Sequence, residues 1–387
     1  MKKPSYIVVL NAGSATLKFG LFDAHPPFHE ITSGNFERVM LPNSFLAIGK
    51  QRQDFRKPLN YRQALRVIFR ALTLQPEDIK TVGHRIVHGG TEFIAPTVLT
   101  PAILRRLERY GPLAPLHNPH NLTVARECLK VFPHARQVAV FDTAYFAHMD
   151  PAVATYAIPF GLSERLGIRR YGFHGISHQA AGQAAANLLG KPIRQLNLIT
   201  IHLGSGCSIT AIRRGVPIRT SLGFSTLDGL VMGTRAGDLD PAVPLFLQQQ
   251  LGWSAARVER LLYRESGLLG ISGFTSDMRE ILKAAGVPVT GYHGRATFTT
   301  SQRRRARLAL AVFTERLRDY IAWYAGLLGR VDALVFTGGI GERSAAVRRL
   351  ATRAMHLRPV PRVLTVPANE ERAIVGQLTR RYTGGTR

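Results

Sequence analysis

Two stretches of this chain, roughly half its length apart, repeat one pattern, and that repeat restricts the possible folds more than any other feature. Ile7-Val8-Val9-Leu10-Asn11-Ala12-Gly13-Ser14-Ala15-Thr16 leads into Leu17-Lys18-Phe19-Gly20-Leu21-Phe22-Asp23, and Leu198–Leu203 followed by Gly204-Ser205-Gly206-Cys207-Ser208 leads into Ile209–Ile212. Each reads as a strand, a small-residue turn with a polar residue at its entry, and a second strand. Two copies of one hairpin imply a duplicated domain with a cleft between the copies. At 387 residues the chain exceeds one ordinary core, which agrees.

Between the copies, short β-branched runs alternate with amphipathic stretches, the mark of an α/β class. Strands are expected at Tyr6–Leu10, Leu17–Phe22, Thr81–Val87, Gln137–Phe141, Leu198–Leu203, Ser208–Arg213, Ala333–Thr337 and Val363–Val366. Helices are expected at Tyr61–Leu72, His178–Leu189, Pro241–Gln249, Ala255–Arg264 and Arg307–Leu328. Residues 24–60 have little period and read as an irregular excursion or edge elements. Gly286–Ser301 and the basic tail Thr379–Arg387 read as loop.

Charge is the unusual part of the composition: 51 Lys+Arg against 25 Asp+Glu, a formal net charge of +26. Such a chain attracts polyanions. The densest basic cluster, Arg303, Arg304, Arg305 and Arg307, opens a segment in which Leu310, Phe313, Leu317, Tyr320, Ile321 and Tyr324 recur at helical spacing. The solvated face of an amphipathic helix therefore explains it better than a nucleic-acid surface. No run of 18 apolar residues marks a membrane span. The start, two lysines and then a strand-like Tyr6–Leu10, lacks the apolar region of a signal peptide. Cys128 and Cys207 form no C-x-x-C, so neither a disulfide framework nor a zinc site is expected, and a reducing cytoplasm fits best.

Six segments carry candidate chemistry. Asn11–Lys18 offers glycine for close backbone approach to a phosphate, the hydroxyls of Ser14 and Thr16, the charge of Lys18, and Asn11 to hold a water on Mg²⁺. It is not a Walker A loop, and an ordinary hairpin turn explains its glycine equally well. In Gly83-His84-Arg85-Ile86-Val87-His88-Gly89-Gly90, Arg85 at a strand end suits bidentate capture of a carboxylate or phosphate, although a surface arginine is the bland alternative. Arg169–His178 crowds arginines and histidines at a helix start; His174 and His178, four apart, resemble a metal pair but lack H-E-x-x-H. Met232–Pro241 places Arg235 in a small-residue loop before a helix opened by Asp240-Pro241, with Asp238 and Asp240 as candidate caps. Val335–Ser344 runs from a strand through glycines into a helix, a nucleotide-type arrangement that is weak as a bare pattern. Asn369-Glu370-Glu371 ends a β run, where acids could hold Mg²⁺ or face water.

In this order, these segments resemble the acetate kinase family. The resemblance is carried by N-A-G-S-x-x-L-K, G-H-R-I-V-H-G-G, L-A-P-L-H-N-P (Leu113–Pro119), F-D-T-A (Phe141–Ala144), R-Y-G-F-H-G-x-S-H, H-L-G-x-G-x-S, M-G-T-R-x-G-D-x-D-P, S-D-M-R (Ser276–Arg279), G-G-I-G-E and N-E-E. It implies the architecture shared with sugar kinases, Hsp70 and actin: an α/β fold of duplicated ribonuclease H-like domains with a nucleotide cleft between them. Residues 1–144 plus 372–387 would form the N-terminal domain and 145–371 the nucleotide-binding one. It further implies reversible phosphoryl transfer from ATP to acetate, giving ADP and acetyl phosphate, with Mg²⁺ (Mn²⁺ able to substitute), in a cytoplasmic homodimer. Membrane association and specific nucleic-acid binding are not expected.

By the same resemblance, Arg85 and Arg235 would grip the substrate carboxylate and the transferring group, and His174 would hydrogen-bond that group. Asp142 and Glu370 would hold Mg²⁺ and order the arginines, with Asn11 nearby as a metal-site residue. Thr16, Lys18, His202 and the turn Gly204, Ser205, Gly206 would touch phosphates. Asp277, Met278 and Arg279, with Gly339, Ile340, Gly341, Glu342 and Arg343, would form the adenosine pocket. Val87, Leu116, Phe173 and Thr226 would line the substrate pocket. The chain departs from the family pattern at Ala15, Thr16, Ser205, Arg219, Thr226 and Arg343, and residues 344–362 form a shorter stretch. These departures bear on donor use and on acetate against propionate or another short acid. A non-catalytic, nucleic-acid-binding protein on the same scaffold is the reading from another class, and the intact Arg85, Asp142, His174, Arg235 and Glu370 set argues against it.

Overall fold

The computed structural model describes residues 5–13, 15–115, 117–292, 294–353 and 355–383. Ser14, Leu116 and residues 384–387 of the expected tail lie outside them. The chain divides into two units: Met1–Ala147 with His174–Ser177 and Asn369–Arg387, and His148–Phe173 with His178–Ala368.

The first unit is built on β1 (Tyr6–Ala12), β2 (Thr16–Asp23), β3 (Glu30–Glu37), β4 (Ser44–Ile48), β5 (Gln51–Phe55), β6 (Ile79–Ile86), β7 (Thr97–Val98) and β8 (Arg136–Phe141), in the order β5-β4-β3-β2-β1-β6-β8-β7. Strands β1 to β5 form an antiparallel meander, and β6 and β8 run parallel to β1. Because strand side chains alternate, β1 feeds two cores. Val8 and Leu10 join Leu17 and Phe19 beneath the helices Tyr61–Ala71 and Asn118–Val131. Ile7 and Val9 join Val138 and Val140 on the other face, where Ile374, Val375 and Leu378 of the helix Glu370–Thr383 are buried.

The second unit holds β9 (Asn197–Leu203), β10 (Cys207–Arg213), β11 (Val216–Thr220), β12 (Ala333–Thr337) and β13 (Arg362–Thr365), in the order β11-β10-β9-β12-β13. Here β9, β10 and β11 are antiparallel, and β12 and β13 are parallel to β9 and to each other. This repeats the order and directions of β3-β2-β1-β6-β8 in the first unit. The duplication read from the two hairpins thus extends to the whole five-stranded core, the ribonuclease H-like arrangement. The long helix Thr300–Leu328 packs on β9 and β10 through Leu310, Phe313, Leu317, Ile321 and Tyr324, while Arg303, Arg304, Arg305 and Arg307 are exposed on its outer side, as expected from their spacing.

All eight expected strands are present, with ends shifted by a residue or two. Three expectations change. Residues 24–60 are more regular than their composition implied, since β3, β4 and β5 extend the meander to the sheet edge. The tail is helical through Thr383, because Ile374, Val375 and Leu378 give it an apolar stripe to bury. Asn369-Glu370-Glu371 begins that helix instead of ending a strand, with the Asn369 Oδ1 accepting from the Arg372 N–H at 2.8 Å.

His84 on β6 is fully buried, with its Nε2 2.7 Å from Gln137 Oε1 on β8. Burial lowers its pKa to about 4 despite the Gln137 contact. A histidine depressed in the folded state gives its full stability above its unfolded pKa, about 6.5, and loses it as pH falls towards 4. Urea midpoints measured from pH 7 to 4.5 are expected to fall along this limb, by up to about 1.4 kcal/mol per pH unit for this residue. The limb should flatten in His84→Asn; equal slopes in both proteins would contradict the assignment.

Candidate active site

In the first unit the parallel strands β1, β6 and β8 end at a common level, which brings Asn11, Arg85 and Asp142 together although they are far apart in sequence. The Arg85 guanidinium contacts the Asp142 carboxylate through Nε (3.2 Å to each oxygen) and Nη2 (2.5 Å to Oδ2). Its Nη1 donates to Asn11 Oδ1 at 3.0 Å and lies 3.1 Å from Glu370 Oε2. Asn11 lies on the same face of β1 as Ile7 and Val9, the face that the C-terminal helix covers. Its Nδ2 accordingly donates to Glu370 Oε2 (2.8 Å) and Glu371 Oε1 (3.1 Å).

Electrostatically this cluster has more acid than base. Burial opposes the charge on Arg85, but Asp142 and Glu370 outweigh it and push the guanidinium pKa up. Asp142 is fully buried; desolvation raises its pKa against the pull of Arg85, and nearby Glu370 adds to the rise. Asp142 and Glu370 both meet the one guanidinium, and Glu371 adds a further negative charge nearby. No group of three His, Cys, Asp or Glu among the described residues forms a ready-made metal cage. Asp142 and Glu370 do offer carboxylate oxygens, the hard donors of which Mg²⁺ typically takes one or two together with substrate phosphates and water. His174 belongs to the same unit: its backbone hydrogen-bonds the Asp142 carboxylate, and it adopts φ +57°, a left-handed conformation uncommon for a residue with a side chain.

In the second unit Arg235 stands in a loop that closes on itself. Its Nη1 donates to the Thr226 carbonyl at 3.2 Å and contacts Met232 Sδ at 3.6 Å. Among the described residues no carboxylate pairs with it, and burial pushes its pKa down. The expected helix over Ala255–Arg264 is α-helical only to Arg260 and continues as a π turn, Leu261–Glu265. That turn frees carbonyls which hold the loop: Leu262 O accepts from Ala236 N–H (3.2 Å) and Tyr263 O from Thr234 Oγ1 (2.9 Å). A π turn at such a place often accompanies a functional site.

The remaining candidates separate into several places. His202, the penultimate residue of β9, stands directly opposite Thr337 of β12, near the turn Gly204, Ser205, Gly206, in which Ser205 is exposed. After Thr337 the chain turns into the short helix Gly338–Arg343, carrying Gly339, Ile340, Gly341 and Glu342. Gly338 has φ +78°, and a Cβ there would lie 2.6 Å from Leu203 O, so this exit from β12 demands glycine. Arg343 is exposed, and Arg348 takes up the carbonyls of Gly341 (2.6 Å) and Glu342 (2.8 Å). Asp277 is an N-cap, accepting from Arg279 N–H (2.8 Å) and pairing with its guanidinium (2.6 Å), while Met278 is buried core. Lys18, opposite Asn11 across the first hairpin, is exposed, and Thr16 begins β2. Val87 and Phe173 are buried, in the first and second units respectively, and Arg219 donates to its neighbour's carbonyl, Ile218 O.

One of the two candidate caps is revised. Asp240 does cap its helix, through Ala242 N–H (2.8 Å), but Asp238 instead binds Gly229 N–H (2.6 Å) and Tyr320 OH (2.8 Å). His178 is held by Thr200 Oγ1 and Ser208 Oγ, both at 2.8 Å, inside the second unit, so no His174–His178 metal pair forms. Sequence reasoning missed Glu371 as a partner of Asn11. It also missed Asn118 and Asn121, which tie down the backbone after β6: Asn118 brackets His88, and Asn121 joins Val87 N–H to Ala12 O. Their signal was two asparagines on the otherwise apolar buried side of an amphipathic helix.

The profile of the acetokinase family matches residues 6–362. An acetate kinase of Coprothermobacter proteolyticus is 40% identical over 361 residues, covering 90% of this chain and 86% of its own length. The crystal structure of Porphyromonas gingivalis acetate kinase has TM-score 0.85 and 35% identity, covering 97% of this chain and 99% of that one. A propionate kinase from Francisella tularensis has TM-score 0.84 and 34% identity, covering 96% and 98%. With a family match over nearly its whole length and such relatives, the chain belongs to the acetokinase family.

Proposed function

We propose that the protein is an acetate kinase that transfers the γ-phosphoryl group of ATP reversibly to acetate, with the first unit supplying Arg85, Asp142 and His174 and the second, as the nucleotide-binding unit, supplying Arg235. The observation that carries this reading is the Arg235 guanidinium, half-buried against a carbonyl and a thioether with no carboxylate partner among the described residues. A desolvated cation left without a counter-charge is costly, and an anionic ligand removes the cost.

A carboxylate is already a nucleophile, so the chemistry asks for alignment and charge neutralisation and needs no general base. Arg85, held by Asp142, Glu370 and Asn11, is pre-oriented to meet oxygens bidentately, and Arg235 offers the second positive charge. His174, fixed by its backbone contact to Asp142, is the proposed hydrogen-bond donor to the group in transit. Glu370 and Asn11 are the proposed Mg²⁺ residues, Asn11 through a water. Mg²⁺, when bound, supplies neutralisation of the donor phosphates. Thr16, Lys18, His202 and the Gly204–Gly206 turn are assigned to phosphate contacts, and Gly339–Arg343 with Asp277, Met278 and Arg279 to the adenosine side. Val87, Phe173 and Thr226 are assigned to the acid's alkyl group. Leu116, assigned with them, lies outside the described residues.

A homodimer is proposed as well. The helix Ala242–Leu251 buries none of its residues, and Leu245, Phe246 and Leu251 are 58%, 60% and 54% exposed. An apolar stripe of that kind marks an interaction surface. Cytoplasmic placement is supported by two free, buried cysteines, and no described helix is long and apolar enough to cross a membrane.

Turnover with Mg-ATP and acetate, propionate, butyrate or formate, following ADP and acyl phosphate together, is the deciding assay. Acetate is expected to give the highest kcat/KM. Preference for propionate would favour the second reading, which rests on Thr226 replacing the family's proline, since one methylene in an apolar pocket is worth only about 1–3 kcal/mol. Arg235→Ala should lower kcat by roughly 10²–10³, equivalent to about 2.7–4 kcal/mol, without a matching loss of thermal stability; near-normal turnover would remove its assigned role. For assembly, light scattering should report a dimer for the parent protein and a monomer for Phe246→Glu, and a monomeric parent would refute the dimer.

A further inference from the structure

The proposed role of Arg235 requires its guanidinium to be held in one place, yet among the described residues its side-chain hydrogen bonds are the two weak ones to Thr226 O and Met232 Sδ. Its position must therefore come from the loop that carries it. That loop runs from Gly229 to Asp238, and its two ends are joined by a reciprocal pair: Asp238 Oδ1 accepts from Gly229 N–H at 2.6 Å, and Asp238 N–H donates to Gly229 O at 2.9 Å. The other carboxylate oxygen, Oδ2, accepts from Tyr320 OH at 2.8 Å and lies 3.1 Å from Arg316 Nη1, both on the helix Thr300–Leu328. Gly237 fits the narrow neck with φ +75°, where a Cβ would lie 2.6 Å from Gly229 O. Within the closed loop Met232 N–H reaches Arg235 O at 3.2 Å. Asp228, next to the neck, is engaged by Arg170 at 2.9 Å. The helix that follows the loop is capped by Asp240, so capping does not account for Asp238.

We propose that Asp238 is a positioning residue for Arg235: with Tyr320 it locks the neck of the Gly229–Asp238 loop to the long helix and thereby fixes where the guanidinium meets the substrate anion. This rests on the proposed role of Arg235. The catalytic sensitivity of such an arrangement is high, because a displacement of about 1 Å in a positioning group can cost on the order of 10² in rate. Asp238→Asn keeps an acceptor for Gly229 N–H but loses the charge facing Arg316 and weakens the Tyr320 bond. Tyr320→Phe removes one hydroxyl and leaves the packing of the helix.

The test is a double-mutant cycle on kcat, with each change made in the parent and in Arg235→Ala. A group that acts only through Arg235 has nothing left to position once that side chain is gone. Asp238→Asn and Tyr320→Phe are expected to lower kcat by roughly tenfold in the parent, with unchanged thermal midpoints, and by less than about twofold in Arg235→Ala. Equal losses in both backgrounds, or no loss in the parent, would overturn the inference. Should Asp238→Asn fail to fold, the Tyr320→Phe arm decides alone. If Arg235→Ala itself retains turnover, the reading of Arg235 fails and takes this inference with it; if Arg235→Ala is crippled while both other variants turn over normally, only the inference fails.

Discussion

The first unit is organised around one desolvated guanidinium. Arg85 has 14% of its side chain exposed, against 1% for its main partner Asp142, and a charge in that position must be met by opposite charge from nearby backbone elements. The partners come from residues 11, 142 and 370, so a strand hairpin, a second parallel strand and the C-terminal helix all have to arrive at one point. Ionic contacts do not themselves supply the energy for that assembly. A buried ion pair is close to break-even against desolvation, whereas Ile374, Val375 and Leu378 each contribute about 1.5–3 kcal/mol on burial. Apolar packing therefore holds the C-terminal helix to the sheet, and the Arg85 network selects the register in which it is held. That division explains why the chain returns to its first unit for its final segment.

Comparing the two copies shows how one fold was turned to two tasks. Asn11 and His202 hold the same position in their hairpins, each one residue before the end of the central strand, paired with Lys18 and Ser208 respectively. In the first copy the adjacent parallel strand supplies Arg85, and acids gather around it. In the second it supplies Thr337 and then Gly338, whose missing side chain lets the following helix begin against the backbone of Leu203. The first copy thus became a charged anchor and the second a bare backbone turn. Such a turn suits the close approach of a phosphate-bearing ligand.

Much of this was legible in the sequence, for identifiable reasons. The strands of both cores, β13 apart, were readable because each is buried on at least one face and carries a run of apolar, often β-branched residues. Arg85, Asp142 and Arg235 were recognisable as parts of motifs, although nothing in spacing alone said that Asn11 would touch Glu370 across the fold. Edge strands β3 to β5 were obscured because their residues are largely polar or exposed, leaving little alternation to read. The C-terminal helix was hidden by its charge: arginines at both ends masked the stripe of Ile374, Val375 and Leu378. Asp238 was misread because an acid next to Asp240-Pro241 looks like a cap, and only the fold reveals that Gly229 and Tyr320 are its partners.

The two arginines are met differently, and this bears on the reaction more than the chain's net charge of +26 does. Arg85 is paired within its own unit by Asp142 and Glu370. Around Arg235, the nearest polar partner is a carbonyl, so that centre gains by adding an anion. The arginines at the start of the long helix are irrelevant to this balance, because they lie on its exposed side, where salt screens them. The half-buried pair matters most: partial desolvation makes the charge on Arg85 depend on its carboxylates, whereas that on Arg235 has no carboxylate partner among the described residues.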